Sequence, residues 1–194
     1  MKNSLWGASY ENKPIHIVLF VSRNKDNAGV EGFKERHASF ITTKDKTEVL
    51  NDFNAFVESG VEGEMSRMYF SVNARDPKKI YSKLMHFLFD EPEFNLCSIQ
   101  PKLAGLAAQK DCATEHHWMF DFDIDSPTAV VEFIDDVYNI DPEVAVDAFG
   151  TPHGYAIIAE HGFDTRTLME KWGDNVSLKR DDMLCYNWKT KGEK

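Results

Sequence analysis

The sequence has few cysteines and no long apolar run, and each scarcity excludes a class of protein. Its 194 residues include three cysteines, Cys97, Cys112 and Cys185, none of which belongs to a CxxC pair. That spacing predicts neither a zinc site nor a disulfide framework, and it favours a reducing, cytoplasmic location. No apolar stretch approaches the roughly 18 residues that span a membrane, and the first thirteen residues lack the apolar segment of a signal peptide. We therefore expect no membrane partner.

The sequence also lacks the short motifs of several large enzyme classes. It contains no Walker A, GxGxxG, GxSxG or HExxH pattern, so ATPase, Rossmann, α/β-hydrolase and zincin functions have no support.

Basic residues are also fewer than acidic residues, and the formal net charge is therefore −10. The imbalance lies in the second half: residues 1–110 carry 15 basic and 14 acidic residues, whereas residues 111–194 carry 7 and 18.

This charge distribution limits how the chain could bind nucleic acid. A protein that binds nucleic acid by neutralising phosphates needs a basic surface. Any nucleotide or nucleic-acid contact here would therefore depend on a bridging metal ion and on the basic residues of the first half. The alternative is that the acidic second half contacts a protein partner, although most acidic surfaces only keep a protein soluble.

Residues 117–126, HWMFDFDIDS, contain the most informative pattern, in which apolar residues alternate with Asp121, Asp123 and Asp125. Successive side chains of a β-strand point to opposite faces, so one face is apolar and the other acidic. Carboxylates placed this close repel one another. Mg²⁺ prefers carboxylate oxygens and usually binds substrate phosphates as well. The segment predicts either a metal-dependent phosphoryl- or nucleotidyl-transfer site or a solvated acidic edge strand.

The elements that follow this strand indicate the fold class. From residue 117 onward the predicted order is β-α-β-β-α-β with one further strand, which is typical of an α+β fold with a ferredoxin-like antiparallel sheet. The helices are expected mainly on one face of the sheet and the aspartates on the other. We expect residues 1–66 to form a β-β-α portion of the same domain, residues 67–188 to carry the main sheet, and residues 189–194 to form a flexible tail.

Three motifs occur in an order that resembles the archaeo-eukaryotic primase superfamily, also called primase-polymerases. They are the strand with alternating aspartates at 120–123, the Thr-Pro-x-Gly-Tyr-x-Ile-Ile hairpin at 151–158, and an acid followed by a hairpin at 174–186. The resemblance covers roughly residues 67–188 and is closest to small, stand-alone members found in bacteriophage genomes. It implies a primase-like palm on an RRM-like sheet, nucleotidyl transfer as the reaction, and the host cytoplasm as the location.

The resemblance also implies a set of metal ligands and catalytic residues. Asp121 and Asp123 would bind the catalytic Mg²⁺ or Mn²⁺, and a third acid would join them. Asp174 matches that acid best, with Asp181 as the second choice. In a two-metal site of this kind the ions activate a 3′-hydroxyl and stabilise the leaving pyrophosphate.

One position departs from the family pattern. The family carries a phosphate-contacting histidine after the glycine of its second motif, whereas this chain has Ala156 there and His153 three residues earlier. On a regular strand these two positions face opposite sides. His153 can therefore supply the phosphate contact only if the hairpin turn directs it back towards the aspartates.

Four further residues are candidates for nucleotide or phosphate binding. Asn73 and Arg75 precede a predicted helix, and a helix N-terminus with nearby cations attracts anions; a solvated helix face is the alternative. Lys179 and Arg180 form a basic pair within the acidic half. They would neutralise phosphate near the aspartates, or else form ion pairs with the aspartates that follow them.

These observations leave three functions open. The first is a metal-dependent, primase-like nucleotidyltransferase. The second is a catalytically inactive relative that binds a host protein or a signalling nucleotide, which the alanine at position 156 favours. The third is a metal-dependent nuclease, in which the same carboxylates serve a water nucleophile.

Overall fold

The computed structural model describes residues 13–193, which form an α+β structure with two four-stranded antiparallel sheets and five α-helices. The strands are β1 (His16–Ser22), β2 (Arg36–Thr42), β3 (Met65–Ser71), β4 (Trp118–Phe122), β5 (Val146–Thr151), β6 (Gly154–Ala159), β7 (Val176–Lys179) and β8 (Met183–Thr190). The helices are α1 (Lys46–Glu58), α2 (Pro77–Asp90), α3 (Ile99–Ala107), α4 (Pro127–Ile140) and α5 (Arg166–Trp172). The predicted α+β class is confirmed.

The second half of the chain forms a sheet with the strand order β5-β6-β4-β7. Read along the chain, β4-α4-β5-β6-α5-β7 has the order of a split β-α-β unit. Helices α4 and α5 cover one face: the ring of Phe133 lies 5.2 Å from that of Phe120 and 5.4 Å from that of Phe122, and Trp172 lies 5.6 Å from Phe122. The alternation in β4 therefore buries its phenylalanines beneath the helices and turns Asp121 to the opposite face.

The first sheet has the order β2-β1-β3-β8 and is covered on both faces. Helix α1 begins at a capping box, in which Asp45 and Glu48 each accept a hydrogen bond from the other's backbone N–H. It packs Phe53 and its neighbours against one face of β1 and β3. Helix α3 packs on the other face, near Ile17. Because α3 covers only one end, the rest of that face is left for the second sheet.

The division of the chain between the sheets differs from the sequence-based expectation. The segment 67–188 contains β3 and β8, which pair with each other in the first sheet, while the split β-α-β unit spans only 118–179. Local patterns predict that a segment is a strand but not which strand it pairs with. The last strand is also two residues longer than predicted, because Lys189 pairs with Ser66 and Thr190 with Met65.

The two sheets meet where β5 contacts β8. Met119, Ala156 and Leu184 form a small apolar cluster between them. The face of the second sheet that the helices leave uncovered therefore lies against the first sheet, and not in open solvent. Within residues 13–193, no helix combines the length and apolar character that crossing a bilayer requires.

Candidate functional site

A cavity of about 420 Å³, which we call the cleft, lies between the two sheets. The second sheet and the turn that follows it contribute a group of acids, namely Asp121, Asp123 and Asp182. The first sheet and the loop after β1 contribute a group of bases, namely Arg23, Lys25 and Arg67. The strand of alternating aspartates thus faces cations that come from the other half of the chain.

The position of Asp121 follows from the register of the second sheet. Its strand, β4, is central, and Asp121 lies between Ala156 of β6 and Ser177 of β7. Both neighbours are small, so neither covers the carboxylate. Ala156, at the position where the resemblance to the primase superfamily leads us to expect a histidine, therefore lies directly beside the first candidate metal ligand and leaves space there.

The electrostatics of Asp121 are unfavourable within the chain itself. Burial raises the pKa of its carboxyl, the charge of Asp123 raises it further, Lys179 opposes the rise, and Asp182 adds to it. No group in residues 13–193 donates a hydrogen bond to this carboxylate, so its charge is balanced only at a distance. A bound cation would relieve the repulsion, because carboxylate oxygens are the ligands that hard divalent ions prefer.

The basic side of the cleft is organised by one buried carboxylate. Asp26 accepts hydrogen bonds from Nε and Nη2 of Arg67, at 2.7 and 2.6 Å, and from Nε and Nη2 of Arg23, at 2.9 and 3.1 Å. The side chain of Asp26 is only 3 % exposed and that of Arg67 only 6 %. Burial alone would raise the pKa of Asp26, but the two guanidinium groups outweigh it and lower the pKa.

This arrangement leaves donors for a ligand. A guanidinium carries five N–H groups, and the contacts of Arg67 with Asp26 and with His153 are made by its Nε and Nη2 nitrogens. Asp26 therefore fixes both arginines at the cleft but does not use all of their N–H donors. Lys25, which is exposed, lines the same cavity.

The hairpin between β5 and β6 directs His153 into the cleft. The turn depends on Gly154, which has φ of +149° and approaches Phe122 so closely that a Cβ atom would lie 2.2 Å from the backbone oxygen of Phe122. Nη2 of Arg67 lies 3.1 Å from Nε2 of His153. Because a guanidinium only donates, Nε2 is the acceptor here, and the imidazole carries its proton on Nδ1.

The structure places Asn73 and Arg75 away from the cleft. Arg75 donates two hydrogen bonds of 2.8 Å to Asp181, and Asn73 donates one of 3.2 Å to the same carboxylate. Both residues are buried. These hydrogen bonds fix the turn between β7 and β8, and Asp181, the second choice for the third acid, is occupied by them.

The remaining predicted residues divide between the cleft and the surface. Lys179 lines the cleft. Arg180 lies with its guanidinium carbon 5.3 Å from the ring centroid of Trp118, outside the residues that line the cleft. Asp174 is exposed in the turn before β7 and is likewise not part of the lining.

Sequence reasoning missed Asp182 and Arg67 as site residues. The sequence contains the pair Asp181-Asp182, but only the structure shows that Asp181 forms an ion pair with Arg75 while Asp182 lines the cleft. In the sequence, Arg67 is only a polar residue at the start of a predicted strand. Its role depends on contacts with Asp26 and His153, 41 and 86 residues away.

A larger cavity, of about 580 Å³, lies at the start of α1. Three of its charged groups already have partners, since Asp45 and Glu48 form the capping box and Lys44 forms an ion pair with Asp52 at 2.8 Å, and Lys13 and Lys46 line this cavity as well. The cleft is the smaller cavity, but it combines carboxylates with facing cations, and we take it as the candidate site for that reason.

The chain matches none of the protein-family models, curated proteins or solved structures with which it was compared.

Proposed function

We propose that the chain binds a nucleotide or nucleic-acid end in the cleft through a divalent metal ion, as a member of the primase-polymerase superfamily. The observation that supports this most is the acid–base pairing of the cleft: carboxylates of the second sheet face guanidinium and ammonium groups of the first. A nucleoside triphosphate with its metal ion needs both kinds of group. Its phosphates bind arginine and lysine, and its metal ion binds carboxylates.

The residues at the cleft suit a magnesium or manganese ion. Asp121, Asp123 and Asp182 provide only oxygen donors, and burial together with the charges of Asp123 and Asp182 raises the pKa of Asp121, which a bound cation would counter. These three residues would hold the metal. When bound, such an ion lowers the pKa of a bound hydroxyl or water and stabilises charge on phosphate oxygens.

The other cleft residues would orient the ligand. Arg67 and Arg23 are held by Asp26 and present their remaining donors to phosphate oxygens in a fixed direction. Lys179 lies on β7, next to the aspartate strand, and adds positive charge on the acidic side. His153 bonds to Arg67 through Nε2, so its Nδ1–H remains as the donor of the imidazole. These contacts would position the phosphates without taking part in bond making.

A second function, binding without catalysis, is favoured by the alanine at position 156. This residue lies beside Asp121, where the family carries a phosphate-contacting histidine. A chain with metal and phosphate contacts but without that group would retain ligand affinity and lose nucleotidyl transfer. Such a protein would act by holding a signalling nucleotide, or by contacting a host protein through its acidic half.

One set of assays distinguishes these functions. Binding of Mn²⁺ and of nucleoside triphosphate is measured by calorimetry, and template-dependent nucleotide incorporation and cleavage of labelled DNA and RNA are measured with Mn²⁺ present. The test variant is Asp121→Asn/Asp123→Asn, and the matched control is Asp125→Asn, an exposed carboxylate two residues beyond Asp123 that does not line the cleft.

The expected result is that the wild type and the control bind metal and nucleotide and that the double variant does not. Incorporation by the wild type identifies the transferase. Metal and nucleotide binding without incorporation identifies the inactive binding protein, and metal-dependent cleavage identifies the nuclease. A wild type that binds neither metal nor nucleotide contradicts the proposal.

A further inference from the structure

The larger cavity at the start of α1, which we call the α1 cavity, lies on the other side of the first sheet from the cleft. Its volume is about 580 Å³, and its lining includes Phe70 of β3 and Tyr186 of β8, whereas their neighbours Tyr69 and Cys185 line the cleft. Consecutive side chains of a strand point to opposite faces. The first sheet therefore separates the two cavities, which share no lining residue.

Lys46, the first residue of α1, places an ammonium group at the α1 cavity. The group lies between two aromatic rings, with Nζ 5.1 Å from the ring centroid of Tyr186 and 5.4 Å from that of Phe149. Burial lowers the pKa of Lys46, and the charge of Asp147 opposes this only in part. Within residues 13–193, no carboxylate accepts a hydrogen bond from Nζ. An anion bound next to Lys46 would stabilise its charged form.

The other charges at the α1 cavity determine how much negative charge a ligand can carry. Asp45 and Glu48 form the capping box, and Lys44 forms an ion pair of 2.8 Å with a carboxylate of α1. The cations that these contacts leave are Lys46 and Lys13, which is exposed. Two ammonium groups suit a phosphate monoester, whose charge at pH 7 is about −1.5 to −2. The two acids would repel the extra charge of a triphosphate or a nucleic-acid strand.

The uncharged lining of the α1 cavity offers an aromatic ring and hydrogen-bonding groups. The ring of Tyr186 is half-buried. The imidazole of His16 donates from Nδ1 to the backbone oxygen of Ser71, 3.1 Å away, and burial lowers the pKa of His16. This imidazole is therefore neutral at pH 7 with Nε2 as an acceptor, while Thr43 adds a hydroxyl that donates or accepts. A nucleobase has matching features, namely a flat π-face and an edge of donors and acceptors.

We propose that the α1 cavity is a binding site for a nucleoside monophosphate, separate from the cleft. Lys46 and Lys13 bind the phosphate. The base lies against Tyr186, and His16 accepts a hydrogen bond from its edge. The volume of the cavity lies within the range of about 300–1,000 Å³ that is usual for small-molecule sites. Binding needs no metal ion, because lysines and not carboxylates contact the phosphate, and it does not depend on the function proposed for the cleft.

The first measurement is calorimetry of the wild-type chain with AMP, GMP, CMP or UMP in the presence of a chelator. The tightest of these should bind as one molecule per chain. Its nucleoside and inorganic phosphate should each bind at least about tenfold more weakly, because each lacks one of the two groups that the cavity contacts. A wild type that binds none of the monophosphates contradicts the proposal. So does a nucleoside, or inorganic phosphate, that binds as tightly as the monophosphate.

Substitutions at the α1 cavity test which side chains contact the ligand. Lys46→Met removes the charge and should weaken binding by about tenfold or more, whereas Lys46→Arg keeps the charge and should retain binding. Tyr186→Leu should weaken binding by about fivefold or more, because the base loses its stacking partner. The matched control is Lys102→Met, which removes a lysine that also lies over an aromatic ring, 3.5 Å from the centroid of Phe87, but lines neither cavity. Its affinity should equal that of the wild type.

Two further variants separate this site from the cleft and from effects on folding. Asp121→Asn/Asp123→Asn alters only the cleft and should bind the monophosphate as the wild type does. If that variant loses the monophosphate while Lys46→Met retains it, the nucleotide binds in the cleft and the proposal is wrong. Lys13→Met, at an exposed position, should weaken binding by about threefold or more without disturbing the packing around Lys46. Unchanged affinity in Lys46→Met, or in Lys13→Met if Lys46→Met does not fold, also contradicts the proposal.

Discussion

Arg67 of β3 and His153 of the β5–β6 hairpin, which are 86 residues apart in the sequence, are joined by a 3.1 Å contact between Nη2 and Nε2. The contact links the two sheets at the mouth of the cleft. Because Asp26 holds the same guanidinium at 2.6 and 2.7 Å, a loop, a strand and a hairpin from distant parts of the chain are fixed around one cavity.

The third acid of the site should be Asp182. Asp182→Asn should lower the affinity for Mn²⁺ by about 10- to 100-fold, the range reported even for groups one layer outside the metal ligands. Asp174→Asn should leave the affinity unchanged, because Asp174 is exposed outside the cleft. Manganese binding followed by electron paramagnetic resonance gives both constants. The opposite pattern, loss with Asp174→Asn alone, would restore the sequence-based choice.

Removing the charge of Asp121 should stabilise the metal-free protein. Burial and the charges of Asp123 and Asp182 raise the pKa of Asp121 above its ordinary value of 3.8. The folded state then binds more protons than the unfolded state above pH 3.8, so this residue lowers the free energy of unfolding as pH rises through the folded pKa.

The size of this effect is modest because Asp121 is partly solvated. Asp121→Asn should raise the melting temperature by about 2–4 °C at pH 7, equivalent to about 1 kcal/mol, and the gain should vanish near pH 3. Thermal unfolding in the presence of a chelator measures it. A lower melting temperature for the variant at pH 7 would show that the carboxylate is stabilised in a way that the structure does not contain.

Asp26 should be essential for stability. Asp26→Ala leaves the nearly buried Arg67 without its partner, and removing one member of a buried ion pair costs about 3–5 kcal/mol. The melting temperature should fall by about 10 °C. Since the pKa of Asp26 is lowered in the folded state, its contribution is present above pH 3.8 and is lost as pH falls through the folded pKa.

The control for this prediction is Asp164→Ala. Asp164 also pairs with an arginine, Arg166, but the side chains are 57 and 88 % exposed, and exposed pairs contribute little. Its melting temperature should fall by no more than about 2–4 °C, because Asp164 also accepts a hydrogen bond from the backbone N–H of Arg166 and the loss of such a contact costs about 1 kcal/mol. Equal losses in the two variants would mean that burial does not determine the strength of the Asp26 pair.

Gly154 should be irreplaceable in the β5–β6 turn. A Cβ atom at this position would lie 2.2 Å from the backbone oxygen of Phe122, and φ is +149°. Gly154→Ala should lower the free energy of unfolding by about 1–3 kcal/mol and move His153 away from Arg67. Gly150→Ala is the matched control, since a Cβ atom there has nothing within 4 Å.

Two measurements check the prediction for Gly154. Denaturant unfolding gives the stability of both variants, and the nitrogen chemical shifts of His153 report whether Nε2 still accepts a hydrogen bond. Unchanged shifts and stability in Gly154→Ala would show that the hairpin does not need a glycine to direct the histidine.

Part of the fold could be predicted because its signals are local. The alternation of Phe120, Asp121 and Phe122 predicts a strand with one buried face, and the helix and strand patterns that follow predict the order of the split β-α-β unit. Caps and prolines mark the helix starts, as Ser126 before Pro127 does for α4. These patterns depend on residues within a few positions of one another.

The pairing of the sheets could not be predicted, because it depends on contacts between distant segments. Nothing near Met183–Thr190 indicates that this strand pairs with β3, and that pairing places Met183 and Cys185 in the lining of the cleft together with Arg67. For the same reason Arg75 resembled a phosphate ligand in the sequence, since its partner Asp181 lies 106 residues away. Of the residues predicted for the site, Asp121, Asp123, His153 and Lys179 line the cleft, whereas Asn73, Arg75, Asp174 and Arg180 do not.

Metal and nucleotide binding at the cleft can be observed in a crystal structure of the protein soaked with Mn²⁺ and a nucleoside triphosphate. We expect anomalous density between the carboxylates of Asp121 and Asp123, with Asp182 next to it and the phosphates directed towards Arg67 and Arg23. A cleft without manganese density at saturating metal, or a nucleotide bound elsewhere on the molecule, would contradict this expectation.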